Sequence, residues 1–260
     1  MSYPIYGISE GLQRWAIILS ALGAAGSLVF CVRTALVRRS ALPLYLFLGG
    51  ALAVVIEPFP DVLGHAAFPE VGQLGWVDLL GRRIPMYVGL IYLFFFAPPV
   101  LVLLDRFERG INRRGYAVLC GAVFACATGF EWLALTLRLW VHYGEKPYGS
   151  LLFWGVVNAH LIIAVSVIVF LLARVIPAGR QFVIAALLPP IAVGAHTAGL
   201  MAGALGLGST SSRPVMTAAA LVSAAVCLTL LWVYSLAICR AAPKATPSQP
   251  SRPGREMLSG

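Results

Sequence analysis

At 260 residues, 60 % hydrophobic and only 11 % charged, with a mean hydropathy of +0.87, the chain falls far below the roughly one-quarter charged content of an ordinary soluble domain. That composition excludes a disordered chain, a coiled coil and a typical soluble enzyme, and fits one integral membrane domain of mostly apolar helices. The net charge of +9 is explained by basic residues placed asymmetrically between the apolar stretches, so it calls for no nucleic-acid partner.

A bilayer-crossing helix needs about 20 mostly apolar residues. Seven stretches qualify, near 15–37, 41–58, 84–104, 115–137, 151–175, 181–207 and 214–239. The expected fold class is therefore an all-α integral membrane protein, a seven-transmembrane helix bundle over 1–240. The N-terminal MSYPIYGISEG has no basic start, apolar run and small-residue cleavage site, so no removable signal peptide is expected. The second stretch is the shortest and ends in Glu57-Pro58-Phe59-Pro60, where two prolines are expected to stop the helix. Residues 59–83 then read as a long loop that could fold over a site. Pro98-Pro99 and Pro189-Pro190 interrupt the third and sixth stretches. Gly199 and Gly203 in the sixth have the spacing that lets two membrane helices approach closely. The tail 241–260, rich in Pro, Ser and Arg, is expected to be a disordered cytoplasmic segment.

Orientation follows from the basic residues. With the N-terminus outside and the C-terminus cytoplasmic, thirteen of the nineteen Lys and Arg fall on the inner side and six on the outer. The positive-inside rule favours that arrangement and predicts a multi-pass protein of the cell membrane. The five cysteines form no CxxC pair and indicate neither a disulfide framework nor a thiolate zinc site.

Polar residues inside apolar spans are costly and call for a reason. Here they gather in the outer half. Glu57 ends the second span, with Asp61 and His65 just beyond. Glu131 lies in the fourth, about 10 Å below its outer end at 1.5 Å per residue. Asn158 and His160 lie in the fifth and His196 in the sixth, while His142 and Glu145 lie in the outer loop before the fifth. The inner halves are nearly free of ionisable groups. The pattern predicts a polar cavity near the outer face, walled by spans two, four, five and six. Asn158 and His160, two apart on one helix, point in nearly opposite directions. Phe130 and Trp132 flank Glu131 in sequence, and Trp154 adds a further ring.

Several chemistries are excluded. A retinal Schiff base needs a lysine inside a span, whereas Lys146 and Lys244 lie in a loop and the tail. No aspartate-rich magnesium–diphosphate motif is present, nor GxSxG, HExxH or a P-loop. What remains is acid chemistry on a lipid-soluble substrate. Burial penalises the charged form of a carboxylic acid, so an acid in an apolar cavity can protonate an isoprenoid alkene or epoxide. Aromatic faces can then steady the carbocation. Glu57, Glu131 and Asp61 are the candidate catalytic acids and bases. Phe130, Trp132, Trp154, Asn158 and His196 are candidate substrate-binding residues, with no cofactor and no metal required.

The segments IEPFPDVLGHAAFPEVGQ and GRRIPMYVGLIYLFFFAP resemble small integral-membrane terpene cyclases that act on prenylated aromatics in fungal meroterpenoid and bacterial indole-terpenoid pathways. The resemblance spans roughly the second to fourth helices, under half the chain. It implies proton-initiated cyclisation of an isoprenoid substrate taken from the lipid bilayer, with Glu57 as an acid. The chain departs from the fungal pattern because its last span carries no acid, and Glu131 would have to take that place. Two other readings stand beside it. One is a His/carboxylate metal-dependent membrane enzyme, although no two histidines are spaced i, i+4. The other is a non-enzymatic carrier or sensor of a lipid or small cation, gated by Glu131 and His196. The oligomeric state is left open.

Overall fold

The computed structural model describes residues 4–144, 147–208 and 212–241. Glu145, Lys146 and the tail beyond Ala241, expected to be disordered, lie outside the described residues. The described chain is dominated by helices. Six are long and apolar enough to cross a membrane, and a seventh span arises if one bent pair is counted as a single crossing. This is the architecture of a helical membrane protein.

Helix α1 (Glu10–Arg38) starts where Ser9 accepts a hydrogen bond from the Leu12 N–H (3.3 Å), and it ends at Arg39 in the left-handed conformation (φ 49°). Helix α2 (Leu42–Leu52) tightens into a 3₁₀ turn over Ala53–Ile56. The chain does not stop at Pro58, as the two prolines had suggested. It turns by 47° at Glu57 and continues as α3 (Pro58–Gly64). Proline is tolerated in the first turn of a helix because the N–H it lacks would have no partner there. The pair Pro58 and Pro60 therefore breaks one helix and opens the next. The bend places Asp61, expected in a loop, on a buried helical turn one turn beyond Glu57.

Residues 65–85 are also not a structureless loop. Strand β1 (Ala66–Ala67) follows α3. Strands β2 (Gly75–Leu79) and β3 (Arg82–Pro85) then form an antiparallel hairpin turning at Leu80 and Gly81, both at positive φ. These short ribbons qualify the all-α expectation at one end of the bundle. The hairpin is tied to the first helix by Gln13. Its side chain donates to the Gly72 carbonyl (2.9 Å) and accepts from the Leu74 N–H.

Helix α4 (Met86–Phe95) and α5 (Ala97–Glu108) form one span broken at Phe96, since Pro98 and Pro99 occupy the first turn of α5. The Ser27 hydroxyl of α1 donates to the Leu93 carbonyl near that break (2.9 Å), meeting an acceptor the interrupted helix leaves exposed. Helices α6 (Arg113–Thr136), α8 (Val183–Gly208) and α9 (Arg213–Ala241) each run as single helices, and α8 passes through Pro189 and Pro190 without ending. Helix α7 (Ser150–Val175) is the most buried and packs against α5, α6, α8 and α9. Strand β4 (Val141–His142) lies between α6 and α7 and pairs antiparallel with β1.

The Gly199 and Gly203 spacing is used for close packing of α8 on α7 and α9. A Cβ on Gly203 would lie 2.6 Å from Phe153 of α7, and the Gly203 N–H donates to Ser223 of α9 (2.8 Å). Gly203→Leu is expected to destabilise the folded protein by about 1–3 kcal/mol through overpacking. Gly194→Ala, with open space around it, is expected to be silent. Thermal unfolding of the two variants in detergent checks this difference.

Candidate functional site

The N-terminal start of α1, the 59–85 region and the α6–α7 connection gather at one end of the bundle. They are joined by the Gly7–Val71 bridge and the β1–β4 pair. The opposite end carries Arg38 between Asp105 and Glu108 (2.8 Å to each). Just inside the first end lies a cavity of about 120 Å³. For scale, an engineered apolar cavity of about 150 Å³ holds a benzene molecule.

One wall is built at the bend between α2 and α3. Glu57 and Asp61 stand one helical turn apart on it and both face the cavity. The Tyr92 hydroxyl of α4 donates to Glu57 Oε2. Asp61 is almost fully buried, and its Oδ2 has no hydrogen-bond partner among the described residues. A second wall is the stripe Val88, Ile91, Tyr92 and Phe95 of α4, whose spacing of three, four and seven residues sets them on one helical face.

The third wall belongs to Glu131 of α6, also almost fully buried. Its Oε1 accepts a hydrogen bond from Trp140 Nε1–H (3.1 Å) and lies within hydrogen-bond distance of His142 Nε2 (2.7 Å). Trp140 lies in the bend just before β4 and His142 within it, and both side chains meet at this one oxygen. Pairing of Ala66 with His142, and the Tyr143 N–H bond to the His65 carbonyl (2.8 Å), hold that segment in place. The His142 ring stacks on Trp154 of α7 with centroids 4.7 Å apart and planes 7° from parallel. Asn158 of α7 and His196 of α8 complete the enclosure, and His196 Nε2 has no partner among the described residues.

No family model, curated protein or solved structure matches this chain. The site therefore has to be read from its own chemistry.

The structure brings seven of the eight sequence-predicted residues onto one cavity: Glu57, Asp61, Glu131, Phe130, Trp154, Asn158 and His196. Trp132 is the exception and is corrected. It is 57 % exposed on the outer surface of α6. Neighbouring helical residues point about 100° apart, so Phe130 and Trp132 diverge by about 200° and only Phe130 reaches the cavity. The ring beside Glu131 is Trp140 instead. His160 lies away from the cavity and stacks on Tyr234 of α9 (5.9 Å). Sequence reasoning counted His142 only among the polar residues of the outer loop, and it left Tyr92 and Trp140 out of the site. The apolar stripe of α4 carried a signal for Tyr92. The expected walls also lacked α4 and the β1 and β4 segments.

Among the described residues, no three His, Cys, Asp or Glu side chains are grouped as ligands for a metal ion. The donor arrangement thus lends no support to the His/carboxylate metal reading.

Proposed function

We propose that this protein is a membrane terpene cyclase that protonates an alkene or epoxide of a lipid-soluble isoprenoid and cyclises the resulting carbocation. The observation that carries the reading is the meeting of Glu57, Asp61 and Glu131 in one small, ring-lined cavity. Acid chemistry on a hydrocarbon needs a proton donor kept from water, an acceptor on another wall, and faces that steady positive charge without bonding to it. All three needs are met by named residues. The cavity size suits the terminal isoprene unit, with the rest of the substrate reaching toward the bilayer.

The roles follow from the hydrogen bonds. Asp61, with one oxygen unpartnered, is the proton donor. A new C–H bond forms at the terminal alkene carbon, or an epoxide oxygen is protonated and its C–O bond opens, leaving a tertiary cation. The next double bond attacks that cation and closes a ring, while Phe95, Phe130 and Trp154 present their rings to the cavity. Loss of a proton toward the Glu131 wall restores a double bond, so the net change is an isomerisation. Glu57, one turn from Asp61 and held by Tyr92, returns a proton to the donor. The basic residues at the opposite end of the bundle support placing that end in the cytoplasm and the cavity toward the outside of the cell membrane. The resemblance carried by 56–73 and 81–98 agrees with this reading.

The test compares lipid extracts of cells producing the native protein and a Glu57→Gln, Glu131→Gln double variant. Cells are fed a farnesylated or geranylgeranylated aromatic compound or its epoxide, and the extracts are analysed by mass spectrometry. A product of unchanged mass and new retention, made only by the native protein, is expected. Substrate moved across the membrane without change of structure would instead establish a carrier.

A further inference from the structure

We infer that His142, held by Glu131, is the proton-accepting base of this cavity, with Nδ1 as the accepting atom and Glu131 as its positioning residue. The inference rests on the cyclisation reading for its substrate. The imidazole–carboxylate arrangement stands on geometry alone.

Five observations lead there. Glu131 Oε1 lies 2.7 Å from His142 Nε2, and both side chains are more than nine-tenths buried, at 6 % and 7 % exposure. A buried carboxylate at this distance accepts the Nε2–H and thereby leaves Nδ1 as the lone-pair nitrogen. Nδ1 has no hydrogen-bond partner among the described residues, although His142 lines the cavity. A buried polar atom without a partner is costly, and the cost is recovered if the atom serves a transient charge. Trp154 lies flat on the ring, so an imidazolium formed here is bounded by a carboxylate at its edge and an indole at its face, and both stabilise it. Trp140 holds the same carboxylate oxygen from a second direction, and the β1–β4 pairing fixes the backbone of His142 itself.

The step balances. A C–H bond next to the cationic carbon breaks, and its electron pair becomes the new double bond. The proton goes to Nδ1, and the imidazolium is held against Glu131. Asp61 has lost one proton and His142 has gained one, so one proton passed back by way of Glu57 resets the site.

The experiment uses the full-length protein in lipid nanodiscs, labelled with ¹⁵N-histidine, together with His142→Gln, His142→Phe and Glu131→Gln. Gln at 142 can still donate to Glu131, and Phe can still stack on Trp154, but neither can accept a proton. Nitrogen spectra of the native protein are expected to show His142 with Nε2 protonated and Nδ1 bare, and Glu131→Gln is expected to change that state. Both substitutions at 142 are expected to lower the native cyclic product by at least about 100-fold, the usual lower range for removing a general base. The remaining product is expected to shift toward other double-bond isomers or water-trapped alcohols, a change that a packing role alone would not produce. A protonated Nδ1 in the native protein overturns the inference, as does His142→Gln activity within threefold of native. If the native protein forms no product from any isoprenoid, the cyclisation reading fails, and the dyad is then decided by the nitrogen spectra alone.

Discussion

Asp61→Asn is expected to lower product formation by at least about 100-fold, within the range for removal of a general acid, while the protein remains folded and inserted. Asp61 is 2 % exposed, and its Oδ2 has no partner among the described residues. A carboxylic acid in that setting offers its proton to whatever occupies the cavity. An amide has nearly the same shape but is far too weak an acid to protonate an alkene. The comparison that gives the result meaning is Glu57→Gln. Glu57 acts after each cyclisation, when it returns a proton to Asp61, and an amide oxygen in its place can still receive the Tyr92 hydroxyl, so Glu57→Gln is expected to spare the first turnover and slow those that follow. Product formed in the first turnover, with thermal unfolding of each variant as the control for folding, reads the difference. A larger loss at Glu57 than at Asp61 would reverse the two roles. Native activity in Asp61→Asn would remove Asp61 from proton delivery altogether.

Much of this site was legible because local rules govern it. Seven apolar stretches of bilayer length announced the helices, and the cost of placing Glu131 inside one of them marked it for attention. The glycine spacing in α8 announced the approach to Phe153 and Ser223. Local rules mislead where only half of each is used. The helical geometry that separates Asn158 from His160 also separates Phe130 from Trp132, so adjacency in sequence does not bring both rings to Glu131. Proline stops a helix but serves equally well to begin one, and at Pro58 and Pro60 it begins α3. What no local pattern could supply is the pairing of β1 with β4, seventy-six residues apart at Ala66 and His142. Two residues of strand on each side carry little propensity. The pairing exists because the two connections meet over the same end of the bundle, and it is what carries His142 to Glu131.

Gly64→Ala, a single added methyl group, is expected to destabilise the fold by about 1–3 kcal/mol and to reduce product formation by about 100-fold, the cost that a misplacement of about 1 Å can impose on a reacting group. Gly64 ends α3, and a Cβ built on it would lie 2.1 Å from Trp154 Cη2 and 2.7 Å from Cζ2. Carbon atoms do not approach so closely, so the indole must move by roughly 1.5 Å to reach normal contact distance. It cannot do so without consequence, because Trp154 is packed edge to face with Phe153 (5.3 Å) and stacked flat on His142. The displacement therefore passes from α3 to the imidazole that Glu131 holds, and no acid is altered. The double variant Gly64→Ala, Trp154→Phe distinguishes this from a general loss of stability. A smaller ring leaves room for the methyl group, so much of the unfolding temperature lost in Gly64→Ala is expected to return. The two substitutions should then be strongly non-additive, as for residues in direct contact. Activity is expected to stay low, because phenylalanine gives His142 a smaller face to rest on. Native stability and native activity in Gly64→Ala would mean that Trp154 yields freely and does not set the position of His142.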